Sequence, residues 1–254
     1  MEKFLESLVK KAGFYLLDNF KKDKSLLSSR ATSKEIVTKY DRVADELIRR
    51  EIEKKYPEHS ILGEESGFRK KSDEWLWIVD SLDGTGNFAN FNPLFCVCAA
   101  LMKQDQLQLG AVFAPAIDEF YFAKRGGGAY FNGKRIKVSG VSKLSQSYAF
   151  YCEGREKSRR RIARVLQKLH PKVKDIRKIG CAGLETSWVA SGRGEIYWTP
   201  KLDPWDLAPG VLLVQEAGGK VTDLRERPWH LGLDDFLFTN GKLHKTSLRV
   251  ILSS

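Results

Sequence analysis

The stretch WLWIVDSLDGTGNF, residues 75–88, constrains the fold more than any other part of the chain. Its apolar run, Trp75 to Val79, is short, aromatic and β-branched, which is the composition of a buried strand. The run ends on Asp80; Asp83 follows three residues later, and then the turn Gly84, Thr85, Gly86. A strand that stops on a carboxylate delivers that group to the edge of a sheet. Glycine tolerates the φ values with which a tight turn aims successive N–H groups at an anion. Two carboxylates beside such a cradle suit the holding of a divalent metal against phosphate. A lone D-x-x-D-G is more often an ordinary strand and turn, so the rest of the chain decides.

At 254 residues, 42% of them hydrophobic, the chain can form one large domain or two small ones with a proper core. No stretch approaches the ~20 apolar residues of a membrane span. The opening MEKFLESLVKKAGFYLL mixes acids with Lys and lacks both a long apolar block and a cleavage site, unlike a signal peptide. Cys96, Cys98, Cys152 and Cys181 form no CxxC and have no His at metal spacing; Cys96 and Cys98 would share one face of a strand. Reduced core thiols in a cytoplasmic protein are the expectation. The net charge of +11 fits either attraction for phosphates and RNA or a solvated surface of the kind heat-tolerant proteins carry. Apart from EGREKSRRRIAR at 153–164 the charges are evenly spread, which favours the second. Arg159, Arg160 and Arg161 have no interleaved aromatic platform and read as a solvated helix face.

Taken in order, residues 2–20 place Leu5, Leu8, Val9, Ala12, Leu16 and Phe20 at helical spacing. Residues 21–35 are polar and aperiodic and read as a mobile loop, a linker or a lid. Thr38 to Asp41 resembles a capping pair opening a second helix with the stripe Val43, Leu47, Ile48 and Ile52, ended by Tyr56-Pro57. Asp41 alone reads as a helix N-terminal charge. His59 to Gly67 is a short strand ending on Glu64 and Glu65, of which extended backbone would turn only one towards a site. FCVCAALM, LQLGAVFA, EFYFA and AYFNGKRIKV follow as strands of an antiparallel sheet, with Asn132-Gly133 as a hairpin turn. VSGVSKLSQS, 138–147, is the expected boundary. It divides a 1–140 α+β portion carrying most of the acids from a 141–254 α/β portion in which helices alternate with strands. In Leu202 to Gly210, Pro209 fits a first helical turn, which puts Asp206 at a helix N-terminus as a cap or as a metal ligand.

Three segments then stand in order: GEES at 63–66, WIVDSLDGTGNF at 77–88 and WDLAPGVLLVQEAGG at 205–219. Together they resemble the inositol monophosphatase family of Mg²⁺-dependent, lithium-sensitive phosphatases, over nearly the whole chain. The resemblance implies a layered αβαβα sandwich of the inositol monophosphatase/fructose-bisphosphatase type, usually a cytoplasmic homodimer. It implies two or three Mg²⁺ ions on the carboxylates of Glu64, Asp80, Asp83 and Asp206 and the carbonyl of Leu82. Asp41 and Thr85 match the pair that orients the attacking water, with Glu64 taking its proton. Asp83, Asp206 and the N–H groups of Gly84 and Thr85 would face the phosphate. Arg177 to Ala182 looks like the substrate loop, with Gly180, Cys181 and Ala182 near the sugar or polyol. The donor set is all oxygen, as Mg²⁺ prefers.

Two departures from the family pattern stand out, the first tolerable because DSLDGT keeps the spacing and the second bearing on substrate. Ser81 stands where the family usually has proline, and Thr199, followed by Pro200 and Lys201, stands where the inositol enzymes often place a polyol-holding glutamate. A lost carboxylate and a new lysine leave open a substrate with a second phosphate, such as fructose 1,6-bisphosphate or a nucleotide. The leading expectation is therefore a phosphomonoesterase acting on inositol 1-phosphate or a similar small sugar phosphate by metal-activated water attack. The alternatives are a bisphosphate phosphatase of the same superfamily and an RNA- or polymerase-associated binding protein.

Overall fold

The computed structural model describes residues 1–22, 39–153, 158–232 and 235–253; the proposed lid at 21–35 and the Thr38 cap lie largely outside them. Helix α1 (Glu2–Asn19) buries Leu5, Leu8, Val9, Ala12 and Leu16, the stripe its sequence encodes. Phe20 lies past its end, in extended backbone, where its ring packs against Phe88 and Phe95. Helix α2 (Lys39–Lys55) buries the i+4 row Tyr40, Ala44, Ile48 and Ile52, with Asp41 and Asp45 beside it. Val43, expected in that stripe, is 44% exposed because it lies on the solvent side of the row.

Both helices cover one face of an eight-stranded sheet of order β2-β1-β3-β4-β5-β6-β7-β8. Its strands are β1 (Ser60–Gly63), β2 (Gly67–Arg69), β3 (Trp75–Asp83), β4 (Cys96–Lys103), β5 (Gln106–Ala114), β6 (Glu119–Lys124), β7 (Gly128–Phe131) and β8 (Lys134–Arg135). Only β1 and β3 run parallel; the other pairs are antiparallel. Asn132 and Gly133 both take positive φ, 45° and 77°, as a two-residue primed turn between β7 and β8 requires.

Side chains alternate across this sheet. Trp77, Val79, Val97 and Ala99 meet α1 and α2, whereas Ile78, Cys96, Cys98 and Ala100 meet the inner core. That core is filled by α5 (Ala182–Ala190) and α6 (Pro204–Glu216), which lie between the first sheet and a second one. The second sheet has order β10-β9-β11-β13-β12, made of β9 (Tyr148–Tyr151), β10 (Asp175–Arg177), β11 (Ile196–Pro200), β12 (Lys220–Asp223) and β13 (Asp235–Thr239). Its outer face, with Ala149, Ile196, Trp198 and Leu237, is covered by α4 (Arg159–Leu169) and α7 (His244–Leu252). The stacking is thus α, β, α, β, α. The segment 138–147 joins the two sheets. A short helix α3 (Thr85–Ala89) follows β3 directly.

Close approach of α6 to the first sheet depends on a glycine. A Cβ on Gly110 of β5 would come within 3.1 Å of the Cα and carbonyl oxygen of Pro209. Pro209 itself lies inside α6 rather than in its first turn. The helix starts five residues earlier, at Pro204, because Asp203 and Asp206 form a reciprocal capping box. Among the described residues, no helix is long and apolar enough to cross a membrane.

Candidate active site

Strand β3 runs through both central aspartates instead of stopping at the first. A bulge between Asp80 and Asp83 re-aims the chain there, so that both carboxyls are buried at the strand's end. Asp80 Oδ1 accepts the Leu82 N–H at 2.9 Å. Asp83 Oδ2 accepts the N–H of Gly183, at the start of α5, and the Cys181 thiol at 3.3 Å. Asp206, in the first turn of α6, accepts the Asp203 N–H at 3.0 Å. Carboxylate oxygens of Asp80, Asp83 and Asp206 lie within 4.8 Å of one another, a group that could hold a metal ion.

Glu64 stands in the turn between β1 and β2, not in extended backbone. The premise that Glu64 and Glu65 point oppositely therefore fails, and both carboxyls feel the charge of Asp41. Asp45 holds this turn, its Oδ1 accepting the Ser66 hydroxyl at 3.3 Å. Asp41, in the first turn of α2, is buried, and its Oδ1 accepts the Thr85 hydroxyl at 3.0 Å. Thr85 Oγ1 is also 3.0 Å from the Leu82 carbonyl. Ser81 makes use of its departure from proline: its hydroxyl donates to the Asp41 carbonyl at 3.1 Å.

The electrostatics are those of acids with too little counter-charge. Burial and the charges of Glu64, Asp83 and Asp206 raise Asp80 well above the usual carboxylate range. Burial and the charges of Asp83 and Glu64 do the same to Asp206. Burial raises Asp83 as well, against hydrogen bonds from Gly183 N–H and the Cys181 thiol. Glu64 is raised to about 7 by burial among the neighbouring acids and by the charges of Glu65, Asp83 and Asp41, although by surface area the residue is exposed. Among the described residues no salt bridge reaches Asp80, Asp83 or Asp206.

Gly84, at φ 87°, caps α3; a Cβ there would meet the Leu94 carbonyl oxygen at 3.0 Å. The substrate-loop candidates come close by. Gly180 takes φ 76° and Cys181 caps α5, but the Cys181 thiol is buried against Asp83 rather than open to solvent. Ala182 begins α5 and is buried. Thr199 is fully buried in β11, its hydroxyl without a hydrogen-bond partner among the described residues. Lys201 is exposed just beyond that strand, at φ 58°.

Like Asp45, two further positioning residues escape sequence reading. Asn87 Nδ2 donates to the carbonyls of Leu94 at 2.6 Å and Ile179 at 3.0 Å, tying α3 to the loop before α5. Glu185, buried in α5, accepts the Ile179 N–H at 2.8 Å. Their partners are distant in sequence, so no local pattern marks them. The Asp203-x-x-Asp206 box, by contrast, was available as a start signal for α6.

Five alternating layers and an acid cluster at their strand ends define the class, the layered α/β fold of the inositol monophosphatases. The sequence profile of the inositol monophosphatase family matches residues 1–253, and the chain belongs to that family. A fructose-1,6-bisphosphatase/inositol-1-monophosphatase of Thermotoga maritima is 36% identical over 219 residues, 86% of this chain and 83% of that protein. A protein of Pseudomonas aeruginosa named Nus factor SuhB is 35% identical over 226 residues, 86% of this chain and 83% of its own. The solved structure of a Thermotoga maritima IMPase superposes with a TM-score of 0.88 at 33% identity, covering 99% of this chain and 96% of that one. The family is metal-dependent, and the acid group here is of a kind that could bind a metal.

Proposed function

We propose that the chain is a Mg²⁺-dependent phosphomonoesterase acting on inositol 1-phosphate or a similar small sugar phosphate. The observation that carries this reading is the convergence of Asp80, Asp83 and Asp206 with no ion pair to a cation among the described residues, which leaves their carboxyls raised and the metal-free site unfavourable. Acids gathered at that cost suit a hard divalent ion with oxygen ligands. Asp80, Asp83, Asp206, Glu64 and the Leu82 carbonyl are the proposed donors. When bound, Mg²⁺ supplies positive charge for the phosphate and lowers the pKa of a water.

The chain's own groups do the rest in this reading. Asp41 accepts the Thr85 hydroxyl proton, which leaves the Thr85 lone pairs to accept a hydrogen bond from water and turn it towards phosphorus. Glu64, in the turn between β1 and β2 at the open edge, takes the proton released. The N–H groups of Gly84 and Thr85 point charge-stabilising dipoles at the phosphoryl oxygens. Gly180 and Ala182 offer backbone to the polyol. The test is kcat/KM on a panel of phosphate esters with Mg²⁺, where inositol 1-phosphate should lead. Activity unchanged by high LiCl would count against the close inositol-enzyme reading.

A second reading, in which the chain also opens fructose 1,6-bisphosphate, is supported by the name of the Thermotoga relative and by exposed Lys201. A Lys201→Ala change that weakens only the bisphosphate would favour it. For an RNA-binding role the arginine cluster offers less than its sequence suggests. Arg161 pairs with Asp235 at 2.6 Å and stacks on Trp198, and Arg159 lies 3.9 Å from Glu153. We also place the enzyme in the cytoplasm as a homodimer, a reading supported by the absence of disulfides among the described residues and by family habit.

A further inference from the structure

Three of the four cysteines meet behind the acid cluster. Cys96 and Cys98 share the inner face of β4, and Cys181 reaches them from the cap of α5. The Cys96 sulfur is 3.4 Å from that of Cys181 and 3.6 Å from that of Cys98. Asp83 Oδ2 closes a triangle with the first pair, 3.3 Å from Cys181 Sγ and 3.7 Å from Cys96 Sγ. All three thiols are buried. The cluster is permitted by Gly183, where a Cβ would lie 2.4 Å from Cys98 Sγ and 2.8 Å from Cys96 Sγ.

These separations can be compared with a coordination sphere. Zn²⁺ held tetrahedrally, with bonds of about 2.3 Å to sulfur and about 2.0 Å to oxygen, sets its sulfurs about 3.8 Å apart and sulfur and oxygen about 3.5 Å apart. The Cys96–Cys181–Asp83 triangle has edges of 3.4, 3.3 and 3.7 Å, so it forms one face of such a tetrahedron with shifts of a few tenths of an ångström. Cys98 Sγ, 3.6 Å from Cys96 Sγ, lies beside this triangle rather than in it. A purely apolar role would need none of this convergence on a carboxylate.

We infer that Cys96, Cys181 and Asp83 form a second metal site, selective for a soft divalent ion of the Zn²⁺ type and sharing Asp83 with the all-oxygen group. Binding exchanges S–H bonds for metal–sulfur bonds, each coordinating thiol losing its proton to solvent. Thiolate donors favour Zn²⁺ over Mg²⁺, which leaves them unused. Because Asp83 belongs to both groups, occupation of the thiol site draws that carboxylate from the other. Resting on the phosphatase reading, this makes Zn²⁺ an inhibitor that acts from behind the active site.

The test uses the full chain, stripped with EDTA and kept in a phosphine reductant, titrated with Co²⁺. A thiolate-to-cobalt charge-transfer band with tetrahedral d–d absorption should appear, saturate at one ion per chain and be bleached by Zn²⁺. Cys96→Ala should weaken Co²⁺ binding at this band by at least about tenfold, the scale of losing a metal's supporting groups. Cys152→Ala should leave the band intact. Absence of the band, or its survival in folded Cys96→Ala, would overturn the site; Cys96→Ser serves if the alanine variant does not melt cooperatively. Turnover in Mg²⁺ is measured separately. Cys96→Ala should need at least about tenfold more Zn²⁺ for half-inhibition, and equal inhibition of both chains would overturn the coupling. A chain without phosphatase activity would still show the band, so the two readings fail separately.

Discussion

The Thr85 hydroxyl lies 3.0 Å from Asp41 Oδ1, a contact between the first turn of α3 and the first turn of α2, elements separated by the whole of β1 to β3. Ser81 secures the same aspartate from the other side by donating to its backbone carbonyl. The pair is therefore held by two sequence-distant anchors, and its geometry is set before any ligand arrives.

Removal of the Thr85 hydroxyl should be felt in turnover more than in binding. Thr85→Val is expected to lower kcat by about 10²–10⁴-fold, the span of positioned acid–base help, with KM changed only a few-fold. Thr85→Ser should restore much of the rate. Ser81→Ala should cost about 1 kcal/mol of stability, the net worth of one hydrogen bond, seen as a lower urea midpoint. Steady-state kinetics on all three variants would check the assignment; a fully active Thr85→Val would remove Thr85 from the mechanism.

The acid cluster predicts a pH dependence of stability in the absence of metal. Glu64 in the folded chain is raised to about 7 from 4.5, and Asp80, Asp83 and Asp206 are raised as well. The folded state then keeps protons that the unfolded chain has released, so stability falls as pH rises from 4.5 through about 7. Urea midpoints in EDTA should drop between about pH 5 and about pH 8, and Mg²⁺ should recover the loss at the higher pH. Asp80→Asn keeps the Leu82 hydrogen bond while removing a charge. It should raise the EDTA midpoint and abolish both Mg²⁺ stabilisation and turnover.

His244 should act in the opposite direction. It is buried in α7 between Thr222 Oγ1 at 2.8 Å and Thr239 Oγ1 at 3.0 Å, and burial, helped by Lys220, lowers it to about 4 from 6.5. The folded chain thus resists a proton that the unfolded chain accepts. Its contribution is whole above pH 6.5 and is lost as pH falls towards 4, by about 3 kcal/mol at most. Since the acids oppose it, the measurement is a difference: unfolding free energies of wild type and His244→Asn, followed over that range, should converge as pH falls.

Asn87 should govern substrate affinity through the loop it holds. Asn87→Ala would leave the carbonyls of Leu94 and Ile179 without this donor. An unmet buried group costs about 1–3 kcal/mol, enough to loosen residues 177–181. The expected result is a KM raised about tenfold with kcat altered much less. Equal loss in both would point to a role in chemistry instead.

Legibility in the sequence followed the reach of local rules. The apolar run from Trp75, the Asn132-Gly133 turn and the α1 stripe from Leu5 to Leu16 are local patterns that form as read, whereas Phe20 falls past the end of α1. The extent of β3 was not readable, because the bulge that carries it on to Asp83 depends on pairing with Cys96 and Cys98. Helices α5 and α6 are covered on both faces, so they have no polar side to mark a period, and Pro209 drew the start of α6 too late. The site acids stood out as residue types in ordered motifs. Asn87, Glu185 and Asp45, which hold them and the adjoining loop, act across gaps in the chain that no short pattern spans.

The bare backbone of Gly110 gives this arrangement an unexpected lever. Helix α6 is seated on β5 at Pro209, one turn from Asp206, so the depth of that seat dictates how far Asp206 leans towards Asp80 and Asp83. A single added methyl there would wedge the two layers apart, and on the proposed Mg²⁺ reading its first symptom would be weaker metal affinity rather than an unfolded chain.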